Sequence, residues 1–260
     1  MKVGAAGADL VRRGPHGLVI LIYHRVGGRS ASQIDLATEL FDEQVGELAT
    51  SGRLVSLDDG LTALQSGNLD HQPVVLTFDD GTADWVDEAL PVLVKHRAPA
   101  TFYVATDFVE GARVFPGGAR PVSWTGLSEL VASGLATIGS HTHTHALLDR
   151  ADAATAADEL SRSIDLIGSH LGVACEHFAY PKALLGSGVA EAEVRERFRS
   201  ATIAGTRANP PGTDLHRLHR SPIQVSDGMR WFRRKASGGM HIEDTARRLL
   251  NRQRYAGVTT

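Results

Sequence analysis

The chain has 260 residues, 42% of them apolar and 22% charged, with a formal net charge of −3. That length suits one large α/β domain or two small ones, and the near balance of charge excludes a protein built to grip nucleic acid. Cys175 is the only cysteine, which excludes an internal disulfide, and no apolar run reaches the ~18 residues of a spanning helix. The charge is uneven: from Arg199 to the end, 12 Lys and Arg stand against 4 Asp and Glu, leaving about −11 on the remainder. A basic tail on an acidic body reads either as a solvated helical face or as a surface for an anionic neighbour. The first ten residues lack the apolar stretch of a secretory signal, so a cytoplasmic location is expected.

Short apolar runs alternate with amphipathic stretches along the chain. Leu18 to Tyr23 predicts a buried strand ending at His24, and Phe41 to Ser51 a helix stopped by Gly52. Val74 to Phe78 predicts a second strand that ends on Asp79-Asp80. A helix interrupted by Pro91 is expected over Trp85 to His96, and a strand over Ala100 to Ala105. Thr125 to Ser133 reads as a helix closed by Gly134, and Ala136 to Gly139 as a strand that delivers a histidine cluster. The longest helix is expected from Asp152 to Leu171, then a strand from Cys175 to Tyr180 and a helix from Val189 to Arg199. Strands at Ala201 to Ala204 and Leu218 to Gln224 flank a Pro- and Gly-bearing loop, 209–213. Two basic helices follow, near Met229 to Ala236 and Asp244 to Arg254. This alternation predicts a parallel sheet or barrel, with chemistry at the C-terminal strand ends: His24, Asp79, Asp80, His141 and Tyr180.

Two segments carry that chemistry. Thr77-Phe78-Asp79-Asp80-Gly81 supplies adjacent carboxylates, and His141-Thr142-His143-Thr144-His145 supplies two imidazoles four residues apart. Two imidazoles and one carboxylate form a common open divalent-metal site, and the second carboxylate is left to act as a base. In a strand, His141 and His145 would lie ~13 Å apart, too far for one ion. On a helical turn they come within about 5–6 Å at Cβ, so binding one metal calls for a helical turn after Gly139-Ser140, with His143 pointing away. Adjacent strand residues face opposite ways, which puts the Asp pair at a strand end, where Gly81 permits the exit. Asp58-Asp59-Gly60 repeats the triplet but reads as helix capping. His24, ending the first strand, reads either as a general acid or as a satisfied histidine at the core edge.

These residues together resemble the polysaccharide deacetylases of carbohydrate esterase family 4. Thr77 to Gly81 is similar to the first motif of that family, His141-Thr142 with His145 to the second, and Phe178-Ala179-Tyr180-Pro181 to a variant third. Tyr23-His24-Arg25-Val26 resembles the poly-N-acetylglucosamine deacetylase subgroup, whose catalytic histidine comes early, and 41–57 fits it with a helix, a glycine and a Val-Ser-Leu strand. The resemblance spans about Leu18 to Ile223. It implies a distorted (β/α) barrel of about seven strands in a single domain. By similarity, Asp80, His141 and His145 would hold one divalent metal, zinc first, with cobalt, manganese or nickel as alternatives. Asp79 would take the proton of the attacking water, the backbone N–H of Lys182 after Pro181 would hold the oxyanion, and His24 would protonate the leaving amine. His219 is the competing acid. Tyr180, Pro181 and Lys182 are candidate substrate contacts, His143 and Thr142 candidates either for supporting the ligands from behind or for the rim, and Trp124 a packing residue with sugar stacking as its alternative.

Two departures stand out. Ala179 replaces the arginine that often orients the base, a role open to Arg220, and Lys182-Ala183 replaces an aromatic-glycine pair. The expected division is an extension over 1–17, a deacetylase domain over 18–225 and a basic helical segment over 226–260. The implied reaction is metal-dependent removal of N-acetyl groups from a glycan or amino sugar. A metal-dependent amidase or esterase on another small acylated substrate, and a non-catalytic carbohydrate-binding relic, are the competing readings. The basic end, with Arg233-Arg234-Lys235 and Arg247-Arg248, suits peripheral contact with an anionic membrane.

Overall fold

The computed structural model of the chain describes residues 16–240. The extension before residue 16 and the second basic helix, 244–254, lie outside the described residues. Seven parallel strands close into a barrel: β1 (Val19–Tyr23), β4 (Val74–Asp80), β5 (Ala100–Val104), β6 (Ala136–Ser140), β7 (His177–Ala179), β8 (Ser200–Ala204) and β9 (Leu218–Pro222). The closing seam pairs β9 with β1 through Leu21↔Ser221 and Ile22↔Pro222. Two short strands, β2 (Arg25–Val26) and β3 (Asp35–Leu36), form a separate parallel pair over the β1 end of the barrel. Strands covered on both faces read as continuous apolar runs, which is why Val19–Tyr23 shows no polar alternation.

Alternation still sorts the side chains. Leu18, Ile20, Val75, Tyr103, Ala179 and Leu218 share one cluster inside the barrel. Tyr23, Phe78, Phe102 and Phe178 belong to a second cluster under the surrounding helices. Those helices are α1 (Thr38–Thr50), α2 (Leu57–Ser66), α3 (Leu90–His96), α4 (Thr106–Glu110), α5 (Trp124–Ala132), α6 (Ala153–Leu171), α7 (Gly188–Arg197) and α8 (Gly228–Ala236). An aromatic row locks the outer layer, with Phe78 stacked on Phe102 at 4.8 Å and on Tyr23 at 5.5 Å between ring centroids. Truncating any of these rings costs about 3–5 kcal/mol. None of the described helices is long and apolar enough to cross a membrane.

Two details differ from the sequence reading. Pro91 does not interrupt its helix: a π-turn over Trp85–Ala89 leads straight into α3, with Pro91 in the first turn. The Leu90 N–H bonds back to the Trp85 carbonyl, and this wider turn absorbs the donor that proline lacks. Val55 to Leu57 is not a strand. Leu54 alone bridges Val74, while Ser56 caps α2 by accepting the Asp59 N–H. The Asp58-Asp59-Gly60 triplet is therefore a helix start, as expected, with Ser56 as the cap itself. Gly60 lets α2 close the barrel floor, since a Cβ there would lie 2.9 Å from Leu18.

The described part of the basic C-terminal stretch packs onto the barrel through α8. In α8, Phe232 is buried in the main core and Lys235 is wholly buried. The Lys235 ammonium donates to Asp227 and to the Pro222 carbonyl, both at 2.8 Å. Arg233 pairs with Glu47 on α1. Two of the three cations in Arg233-Arg234-Lys235 are turned onto the fold.

Candidate active site

The C-terminal ends of β1, β4, β6, β7 and β9 converge on one cluster. Asp79 is the last inward residue of β4 and is 5% exposed. Arg220, fully buried on β9, grips it as a fork: one guanidinium nitrogen donates to Oδ1 at 2.6 Å and another to Oδ2 at 2.8 Å. The first nitrogen also donates to the Thr77 hydroxyl at 2.9 Å, and the Tyr103 ring lies beneath the guanidinium at 5.1 Å. Burial alone would raise the Asp79 carboxyl. The Arg220 charge, with His141 and the Arg220 hydrogen bonds behind it, outweighs burial and holds the carboxyl below the usual range. Asp79 is thus kept ionised and oriented, as a base requires.

Alternation would turn the next residue outward, but Asp80 adopts a left-handed φ of 87°, followed by 117° at Gly81. That twist aims its carboxylate at the histidines. Asp80 Oδ1 lies 3.6 Å from His141 Nε2 and 3.4 Å from His145 Nε2. An ion bound tetrahedrally at ~2.0–2.1 Å spaces its ligand atoms ~3.4 Å apart, so Asp80 stands at ligand spacing from both imidazoles, and all three donors lie within 4.8 Å of one another. His141 donates from Nδ1 to the Ala179 carbonyl at 2.7 Å, which fixes the tautomer and leaves Nε2 as the free donor. Burial pushes its imidazole down to about 4, so it is neutral at ordinary pH. Burial opposes ionisation of Asp80, yet its hydrogen bond to His145 and the neighbouring histidine charges hold its carboxyl far below the usual range. Donor set, spacing and tautomer all fit a divalent metal of the zinc type, and among the described residues this is the cluster with that capacity.

The histidines do not meet on a helical turn. Residues 141–145 are a loop with left-handed φ of 62° at Thr142 and 65° at His145, which brings the two rings to 4.9 Å between centroids. Its fold is held from α6. The Glu159 carboxylate accepts the N–H of His143 at 2.9 Å, the N–H of Thr144 at 2.8 Å and the Thr144 hydroxyl at 2.8 Å. His143 points away from the cluster, as expected, and bonds the Thr106 hydroxyl at 2.9 Å. His143 and Thr142 are both buried, which puts them behind the ligands and not on the rim, the first of the two positions expected. Sequence reasoning missed Glu159. A signal existed: an acid in the buried stripe Ala156, Leu160, Ser163 and Ile167 of a long amphipathic helix.

His24 lies between β1 and β2, beside both carboxylates, and its charged form would lower each of them. Its carbonyl accepts the Trp85 indole N–H at 2.8 Å, while its Nδ1 is buried without a hydrogen-bond partner. His219 faces the opposite way from Arg220, as alternate strand residues must, and packs over the backbone of Gly205 outside the barrel. It does not join the cluster.

Tyr180 is not a substrate contact. It shares the outward face with Phe178, stacks on it edge-on at 4.9 Å and is buried under the helices. Pro181 is buried too, at the start of a short 3-10 turn. Lys182, at φ 52°, does line the cavity above Asp80 and His145. Trp124 staples helices together, stacking on His170 at 4.2 Å and donating to Glu110.

A parallel barrel with paired carboxylates and two histidines at its C-terminal mouth has the donor set of metal-assisted hydrolysis. The polysaccharide deacetylase family matches residues 66–199, just over half of the chain, and the chain belongs to that family. It is 24% identical over 204 residues to the poly-beta-1,6-N-acetyl-D-glucosamine N-deacetylase of Staphylococcus epidermidis, covering 75% of this chain and 70% of that one. Among solved structures it is similar to IcaB from Ammonifex degensii, with a TM-score of 0.74, 27% identity, and 86% and 99% of the two chains covered. The deacetylase PplD of Streptococcus pyogenes, solved with acetate, shares the fold at a TM-score of 0.75 and 23% identity, with 85% and 99% covered.

Proposed function

We propose that the chain is a metal-dependent N-deacetylase of an N-acetylated glycan, with Asp79 as base and His24 as acid. The observation that carries this reading is the separation of two carboxylates into two roles. Asp80 is turned by its backbone toward two imidazoles at ligand spacing, while Asp79 is locked by Arg220 and kept ionised. Asp80, His141 and His145 would hold the ion, which when bound supplies a Lewis acid at the acetamide.

The protein's own groups account for the proton movements. Asp79 takes the proton of the attacking water, oriented by the Arg220 fork. The Lys182 N–H, presented by a left-handed turn after Pro181, stabilises the developing oxyanion. His24, close enough to Asp79 and Asp80 for its charge to lower both carboxyls, donates to the departing amine. The products are acetate and a free amino sugar. The Staphylococcus epidermidis relative supports N-acetylglucosamine as the sugar.

The test is acetate release from N-acetylglucosamine oligomers by metal-stripped protein, with and without added Zn²⁺, beside Asp79→Asn. Release that needs metal and vanishes in the variant supports the mechanism. Metal-independent release, or full activity in Asp79→Asn, would overturn it.

A further inference from the structure

Three consecutive residues, Ala105, Thr106 and Asp107, bond to both arms of the ligand cluster. The Ala105 N–H donates to the Asp80 carbonyl at 2.9 Å, and the Asp107 N–H donates to the His143 carbonyl at 2.8 Å. Between them the Thr106 hydroxyl bonds His143 Nδ1 at 2.9 Å. Thr106 is fully buried at the start of α4, and His143 is buried midway along the chain between the two ligand imidazoles.

These bonds meet a demand set by the backbone. Asp80 leaves β4 at a left-handed φ of 87°, and Thr142 and His145 take 62° and 65°. Left-handed backbone is unfavourable for a residue with a Cβ and persists only where its surroundings fix it. On the histidine arm, Glu159 of α6 accepts the N–H groups of His143 and Thr144. The carbonyl and ring of His143 are held from α4 instead. Thr106 is the close partner of that ring, because Asp107 Oδ1 stands 3.8 Å from Nε2 and is itself paired with Arg113. The segment 105–107 thus ties the turn after β4 to the loop after β6.

We infer that Thr106 is a positioning residue of the metal site. Acting through the His143 ring, it sets the histidine arm against the Asp80 arm and so maintains the 3.4 Å between Asp80 Oδ1 and His145 Nε2. The inference rests on the metal ligation in the deacetylase reading and deepens it, since Thr106 lies outside both segments that carry the ligands.

The test is zinc affinity of the full chain in a chelator competition, with acetate release and the thermal midpoint of the metal-free protein measured on the same samples. Thr106→Val keeps the shape and loses the hydroxyl, and it should weaken zinc by about tenfold. Thr106→Ser keeps the hydroxyl and should stay within about twofold of wild type. His143→Leu should lose as much as Thr106→Val, and the double variant no more than either alone, because both break one bond. Unchanged zinc affinity in Thr106→Val, whatever its thermal midpoint, reduces Thr106 to packing and overturns this inference alone. Additive losses in the double variant overturn it too. The expected zinc pattern without acetate release supports this inference and overturns the deacetylase reading. A wild-type chain that binds no zinc overturns both.

Discussion

Replacing Arg220 by alanine tests how the base is made. Arg220 is fully buried and gives three hydrogen bonds, two of them to the Asp79 carboxylate. Its removal leaves a buried carboxylate without its partner, which costs about 3–5 kcal/mol of stability. The chemistry changes as well. In the intact protein the Asp79 carboxyl is lowered against burial, so its contribution to stability is present above the unfolded value of ~3.9 and is lost as pH falls through the folded value. Without Arg220 the burial effect wins, the carboxyl rises above that value, and the base is protonated over part of the working range. The acid limb of kcat/KM should move upward in pH. Activity near pH 6 should fall by about 100- to 10,000-fold, the usual worth of general base catalysis, and recover in part as pH rises. Arg220→Lys keeps the charge without the fork and should fall between. The assay is kcat/KM against pH, with zinc content and the thermal midpoint measured on the same samples. A rate loss with no displacement of the acid limb would refute the reasoning, as would zinc lost in proportion to activity.

Three other outcomes follow from the geometry. Glu159→Ala frees the 141–145 loop and should weaken zinc by about 10- to 100-fold in a chelator competition while the barrel stays folded; unchanged affinity would show that the loop holds itself. His141, lowered to about 4, binds its proton more tightly when unfolded than when folded. Metal-free protein should therefore lose up to about 3 kcal/mol as pH falls from 6.5 to 4, and His141→Gln should flatten that slope in denaturant titrations. Lys235→Ala removes the cation paired with the buried Asp227 carboxylate and should cost about 3–5 kcal/mol in urea unfolding. Because Lys235 bonds Asp227 and the Pro222 carbonyl, outside the catalytic cluster, acetate release per folded molecule should hold, and a selective loss of turnover would place α8 nearer the chemistry than those bonds indicate.

The barrel was legible because each strand is a short apolar run covered on both faces, and periodicity reports that directly. The Asp79-Asp80 and His141-His145 pairs were legible because few other arrangements need those residues at that spacing. What sequence missed lies where backbone departs from periodic geometry. No pattern announces left-handed φ at Asp80, Thr142 and His145, so the histidine loop was expected as a helical turn. Tyr180 was misassigned through neglect of alternation: Ala179 faces inward, so Tyr180 faces out. The same rule separates Arg220 from His219. Glu159 reaches the loop from 15 residues or more along the chain, a distance that no local window spans.

Ala179 faces the barrel interior on β7, and Arg220 faces it on β9, with β8 alone between them. Arg220 reaches the Asp79 carboxylate from β9, and an arginine at position 179 would enter the same interior from two strands away. The family's usual arginine and the one in this chain are therefore two solutions to one spatial demand. A lineage could pass between them through an ancestor carrying both, without ever leaving the base unheld. Descent in such a barrel preserves a charge at a point in space, while the position in the chain that supplies it is free to drift.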